Sequence, residues 1–308
     1  MALIQAPNAV VMIRPWRFHS NPETATDNAF QKTDAAPDAN VAILARNEFD
    51  MAVKTLEEYG VRVHVFDDFG ERETPDSVFP NNWFSTHPGG HVAIYSMCTP
   101  NRRRERRSDV IEMLKCEYRV QDVIDYSGLE WDNLFLEGTG AMVLDHIERV
   151  AYTAKSNRAS DIILERFCSN FQFEPMAFET ADANGTPIYH TNVMMCIGTE
   201  YALVCLDMIV DPTRRAEIKE RLEQSGREVI DLSFEQIDNF AGNALELTGN
   251  GKTLLAMSQR AFDALTKEQK AIIEKSATIV PLSVPTIELA GGSVRCMLAG
   301  IHLTRRKL

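Results

Sequence analysis

The chain has 308 residues, of which 44% are hydrophobic and 25% charged, an ordinary globular balance with length enough for a large core. Its formal net charge of −12 speaks against nucleic acid or an anionic membrane surface as a partner. No run of ~18 apolar residues is present to cross a bilayer. The start, MALIQAPNAVVMIRPWRF, has no basic region ahead of a continuous apolar stretch, so no secretory leader and a cytoplasmic location are expected.

In chain order, helical and strand-like segments alternate, which predicts a mixed α/β protein. Helical periodicity covers Val41–Tyr59, and VRVHVF at 61–66 follows it as a strand. Apolar runs then flank HPGG at 87–90, the pattern of a hairpin. The same helix, strand and hairpin order recurs. Helices are expected at Arg103–Cys116, Ser160–Phe171, Pro212–Ser225 and Thr266–Ser276, with hairpin turns at 145–148, 198–200 and 248–252. A last unit, CMLAGIHL, is cut short by the basic tail TRRKL, and the N-terminal run VVMIRPWRF is expected to supply its missing strand. A closed arrangement of that kind leaves no exposed sheet edge.

A polar or thiol residue stands just before or at the start of each hairpin: Asn82, Glu137, His190, Asn243 and Cys296, spaced 55, 53, 53 and 53 residues apart. So regular a period predicts a propeller-like closed repeat over residues 1–308 as a single domain. Equivalent positions of the five units would face one central channel. A thiol, an imidazole and a carboxylate gathered there make a nucleophile, a general acid/base and a charge-stabilising anion.

Taken singly, each of these residues has a plainer explanation. Cys296 alone would be a buried strand cysteine, and His190 alone a hydrogen-bonded structural histidine. Glu137, inside the apolar run LFLEGTGAMVL, is costly to bury without a partner. Cys196 and Cys205 lie in apolar text and are expected to be core residues. The six cysteines are spread thinly, which favours reduced thiols over a disulfide framework. RRRERR at 102–107 reads by default as a solvated helix face paired with Glu105 and Asp109. No histidine spacing suggests zinc.

FPNNWF (79–84), FLEGTG (135–140), YHTN (189–192) and GGSVRC (291–296) resemble, in that order, the Asx, Glu, His and Cys motifs of the guanidino-group-modifying enzymes. That superfamily holds arginine deiminases, dimethylarginine dimethylaminohydrolases, arginine dihydrolases and amidinotransferases. The N-terminal text VVMIRPWRFHSNPETATDNAFQ further resembles the bacterial citrulline-utilisation hydrolases. The resemblance runs over essentially the whole chain. It implies a five-bladed α/β propeller of ββαβ modules and a cysteine-dependent hydrolase that needs no metal or organic cofactor. Cys296 would be the nucleophile, His190 the general acid/base, and Glu137 the group that binds the substrate nitrogens. Arg158 in AKSNR, and Arg103 in PNRRRE, resemble the arginines that hold the substrate carboxylate.

The family's arginine-converting members usually carry aspartates where this chain has Asn82 and Asn192. A guanidinium is donor-only and always charged, which suits carboxylates. A ureido group is neutral and carries a carbonyl, so a carboxylate facing it would oppose two acceptors at a cost of ~1–3 kcal/mol. An asparagine amide both donates and accepts. The expected substrate is therefore a small ureido or guanidino amino acid, citrulline ahead of arginine, cleaved to ornithine, ammonia and carbon dioxide. The competing readings are an arginine deiminase, an arginine dihydrolase, a dimethylarginine hydrolase, or a non-catalytic binding protein on the same fold. The sequence also allows a homo-oligomer.

Overall fold

The computed structural model describes residues 3–25, 28, 30–31 and 39–307. Five separate three-stranded sheets make up the strand content, in a mixed α/β fold. The first strand, β1 (Ala9–Pro15), runs parallel to β2 (Arg62–Asp68) after a crossing helix at Ala39–Glu58. That helix is long because its buried positions Ala45, Phe49, Ala52, Val53 and Leu56 fall at helical spacing. They form one apolar stripe against β1 and β2.

Each later sheet repeats one plan. An antiparallel hairpin is followed by a helix that returns the chain to a third strand, parallel to the second. The plan gives β3 (Phe84–His87), β4 (His91–Ile94) and β5 (Asp122–Asp125). It then gives β6 (Met142–Asp145), β7 (Val150–Ala154) and β8 (Glu174–Phe178). Next come β9 (Met195–Ile197), β10 (Tyr201–Val204) and β11 (Glu228–Asp231). The last complete set is β12 (Leu245–Gly249), β13 (Lys252–Ser258) and β14 (Thr278–Leu282). All four predicted hairpin turns fall between the strands they were expected to join. The short final strand β15 (Ala299–Gly300) pairs antiparallel with β1, Val10 opposite Gly300. The N-terminal run thus shares a sheet with the end of the chain, as expected.

The returning helices are started by local chemistry. Asp211 caps Pro212–Gln224 by accepting from the Thr213 amide at 2.9 Å. Thr266 and Gln269 form a reciprocal capping box at Lys267–Ile273. The predicted helix at Arg103–Cys116 forms only from Ser108 to Glu117. Ahead of it, a separate turn at Pro100–Arg103 and the next residues break regular phase. The inward ion pairs of Arg102 with Glu105 and of Arg106 with Glu130 hold that break. The expectation of a solvated face is therefore corrected for Arg102 and Glu105, both buried.

Single helical turns precede the hairpins and position the polar residues. They are Pro80–Asn82, Gly138–Ala141, Thr191–Val193 and Val294–Met297. Cys296 thus sits in a helical turn instead of the strand its apolar surroundings suggested. Successive turns are bonded to one another. Thr139 Oγ1 donates to Asn81 O, Thr191 Oγ1 to Ala141 O, and Asn243 Nδ2 to Asn192 O. The Arg295 amide donates to Asn243 Oδ1 at 3.1 Å, and the 294–297 turn packs against the 80–82 turn. Glycine makes the approach possible, since a Cβ on Gly140 would lie 2.0 Å from the end of the Asn82 amide and 2.9 Å from His190 Nδ1. Among the described residues no helix is long and apolar enough to cross a membrane.

Candidate active site

Glu137 is the centre of a buried polar cluster and is fully shielded from solvent. Its Oε2 lies 2.8 Å from His190 Nε2, and its Oε1 accepts from the Cys98 amide at 2.9 Å. Two guanidinium groups stand farther off, Arg158 at 3.5 Å and Arg102 at 3.9 Å. Burial alone would push the Glu137 carboxyl up, but Arg158, His190 and Arg102 together hold it well below the usual carboxylate range. Burial lowers His190, with Glu137 pulling the other way. An ionised Glu137 can only accept, so Nε2 carries the histidine proton. Nδ1 then bears the lone pair of the neutral ring.

Cys296 is 4% exposed, and its Sγ faces two amides: Asn192 Nδ2 at 3.3 Å and Asn243 Nδ2 at 3.4 Å. The Asn192 amide oxygen is buried without a partner. Tyr189 ties the thiol side to the histidine side. Its ring lies 4.7 Å from that of His190, its hydroxyl donates to Gly291 O at 2.9 Å, and Arg158 stacks over it at 4.9 Å. Asn82, with its amide oxygen toward Arg102, accepts from both terminal nitrogens at 3.0 Å.

Of the residues singled out in the sequence, Glu137, His190, Arg158 and Asn82 thus share one network, and Cys296 and Asn192 share another beside it. Arg103 does not join them. Its guanidinium binds the Met97 and Cys98 carbonyls at 3.0 Å and approaches Glu130, and its side chain is 31% exposed. The inward arginine is Arg102, because neighbours on a helical turn point about 100° apart. Arg102 is gripped bidentately by Glu105 at 2.9 and 3.0 Å.

Three further residues escaped the sequence reading. Asp76 lies 3.7 Å from Arg102 and keeps one buried oxygen without a partner. Burial pushes its carboxyl up, against Arg102 and Asn21. Asn21 donates to Asp76 at 2.7 Å and exchanges hydrogen bonds with Asn101, so the N-terminal segment closes over the cluster. Asn243 appeared only as one beat of the repeat. An acidic residue three positions ahead of the FPNN text was the one available signal for Asp76. As expected, Cys196 and Cys205 are buried in the core, and burial pushes their thiols up to about 12 and about 11. Among the described residues no group of His, Cys, Asp and Glu is arranged to hold a metal ion.

The sequence profile of the family described as N,N dimethylarginine dimethylhydrolase, eukaryotic, matches residues 14–303. No curated protein sequence matches the chain. Apo ArgZ, an arginine dihydrolase from the ornithine-ammonia cycle in cyanobacteria, superposes with a TM-score of 0.74 at 16% identity, covering 97% of this chain. This chain spans only 41% of full-length ArgZ. The N-terminal domain of ArgZ bound to substrate gives 0.74 at 16% identity, covering 95% of this chain and 97% of that domain. A dimethylarginine dimethylaminohydrolase adduct with 4-chloro-2-hydroxymethylpyridine gives 0.64 at 13% identity, covering 97% of this chain and all of that one. At such identities the likeness is one of fold.

Proposed function

The chain belongs to the N,N dimethylarginine dimethylhydrolase family, hydrolases of non-peptide C–N bonds, and from that premise we propose that it cleaves the ureido group of citrulline to give ornithine, ammonia and carbon dioxide. In this mechanism the Cys296 thiolate adds to the ureido carbon. His190 Nδ1 takes the thiol proton as sulfur adds, and the bond to the ornithine nitrogen breaks as the imidazolium returns that proton to the departing amine. Water, deprotonated by His190 Nδ1, then releases carbamate from the thioester, and carbamate decays to ammonia and carbon dioxide. Loss of ammonia before ornithine uses the same groups. Glu137 fixes the histidine tautomer and offers its second edge to substrate N–H groups. Arg158 is assigned the substrate carboxylate, with Arg102 in the second position first expected for Arg103. The chemistry needs no metal or organic cofactor.

The observation that carries the choice of substrate is the pair of amides on the thiol. A ureido group needs both a donor and an acceptor, and Asn192 presents an N–H to sulfur while its buried oxygen lacks a partner. A second reading, arginine as substrate, is favoured by charge. Burial pushes the Asp76 and Glu105 carboxyls up, Glu105 to about 7, and a guanidinium entering beside them would favour their ionised forms. We also read the five sheets as the blades of a five-bladed propeller formed by one cytoplasmic domain. The β1–β15 pair and the bonds linking successive turns support that arrangement.

Incubating the protein with citrulline, arginine and methylarginines, with ammonia and amino-acid products measured, separates the readings. Ornithine formed fastest from citrulline is expected. Ornithine or citrulline formed only from arginine would replace citrulline as the substrate.

A further inference from the structure

A small cavity of about 40 Å³ lies among the inner strands of the five sheets. The strands β3, β6, β9, β12 and β15 all contribute to its wall, and its polar lining includes Gln5, Thr86, His146, Arg295 and His302. That volume holds a few water-sized atoms.

The charge around this cavity is unbalanced. The Arg295 side chain donates only to the Leu298 carbonyl, at 3.1 Å, and among the described residues no carboxylate pairs with it. Asp145 and Glu246 make their hydrogen bonds to other groups, and Glu246 Oε1 is buried without a partner. Asp145 is held by Arg227 at 2.7 and 3.0 Å, and Glu246 accepts from the Thr199 amide and hydroxyl at 2.9 and 2.6 Å. Arg149 adds a further positive field at His146 and His302.

His146 and His302 stack with ring centroids 3.8 Å apart at 20°, and each has a buried Nδ1 without a partner. Gln5 is not free to help, because its amide nitrogen is bonded to the Leu144 and Ile197 carbonyls. A guanidinium cannot shed its proton, and the half-buried Arg295 has only the neighbouring Cys296 and Cys196 sulfurs, and no carboxylate, to offset its charge. Unmet hydrogen-bonding groups in a buried site are unusual, and these two ring nitrogens lack a protein partner. What the wall lacks is one negative charge that also accepts hydrogen bonds.

We propose that this cavity binds a small monovalent anion, of the chloride, nitrate or bicarbonate class, held by the Arg295 guanidinium and the unpartnered imidazole nitrogens of His302 and His146. One such ion balances Arg295 and gives each stacked ring an acceptor for an N–H. The site adjoins the Cys296 cluster through Arg295, whose amide donates to Asn243, but it does not depend on the substrate assigned there.

The test uses the full chain and no turnover. Crystals soaked in sodium bromide should give an anomalous peak within hydrogen-bonding distance of Arg295. In solution, chloride or nitrate should raise the Tm by about 2–4 °C over sodium gluconate of equal ionic strength, for an ion at ten times its Kd. Arg295→Met should abolish the difference. Should that variant fail to fold, His302→Phe, which keeps the ring stack, should reduce it. Equal Tm values in chloride, nitrate and gluconate, or bromide-soaked crystals with no peak at Arg295, would overturn the proposal. A crystal peak without any solution shift would count against it equally. None of these readouts depends on how the enzyme assay turns out.

Discussion

Two buried arginine–carboxylate groups in this protein differ in how completely they are bonded. Arg227 spends its guanidinium on Asp145, Ser225 and the Gly198 carbonyl, all within 3.0 Å, and Asp145 also accepts from the Ile147 and Glu148 amides. Arg102 is gripped by Glu105, but the guanidiniums stand 3.5 and 3.9 Å from Glu137 itself, and Asp76 and Asn192 each keep a buried oxygen unmatched. Both groups bury charge at equal depth. Saturated bonding marks the pair that holds neighbouring sheets together, while the proposed ligand site keeps unmatched oxygens for a substrate to bond.

Mutations should separate the two. The largest effect is expected at the thiol: Cys296→Ser should lower turnover by roughly three to six orders of magnitude with an unchanged melting curve. Glu137→Gln removes the charge that fixes His190, and kcat should fall about 10²–10⁴-fold while the protein stays folded. Arg227→Met should do the reverse. It strands a buried Asp145 and costs about 3–5 kcal/mol in urea unfolding, yet the activity of the folded fraction should match wild type. A large activity loss in Arg227→Met at low temperature would break the distinction.

Smaller changes sharpen the contrast further. Asn82→Asp should shift preference from citrulline toward arginine by about ten-fold or more, read as the ratio of kcat/KM values. The weakest effect is on pH dependence. Glu137 is held below its unfolded value, so its contribution to stability is present above the ordinary carboxylate range and is lost as pH falls toward the depressed value. Urea midpoints measured from neutral to acidic pH should therefore fall less steeply in Glu137→Gln than in wild type.

Much of the fold was legible because its signals are local. HPGG, DHIE, GTE and TGNGK mark the hairpins, and helical stripes such as that of Phe49 and Leu56 mark the returning helices. The beat of Asn82, Glu137, His190, Asn243 and Cys296 pointed to residues that lie within two bonded networks. The acid-base surroundings were not legible. Choosing Arg102 over Arg103 requires the phase of a helix that breaks at 104–107. Asp76 and Asn21 meet Arg102 only through loop paths, which periodicity does not encode. Cys296 reads as strand because its neighbours are apolar, but the preceding Gly291-Gly292 pair lets the chain turn, with Gly291 at φ +81° and Gly292 set against the Phe79 ring.

The central claim is that Cys296 attacks the ureido carbon while His190, held by Glu137, moves the proton. Mass spectrometry of the protein acid-quenched during citrulline turnover, with peptide mapping, tests this most directly. One carbamoyl or thiocarbamate group on Cys296, absent in Cys296→Ser, is the result expected. Steady release of ornithine with Cys296 unmodified, or turnover preserved in Cys296→Ser, would contradict it.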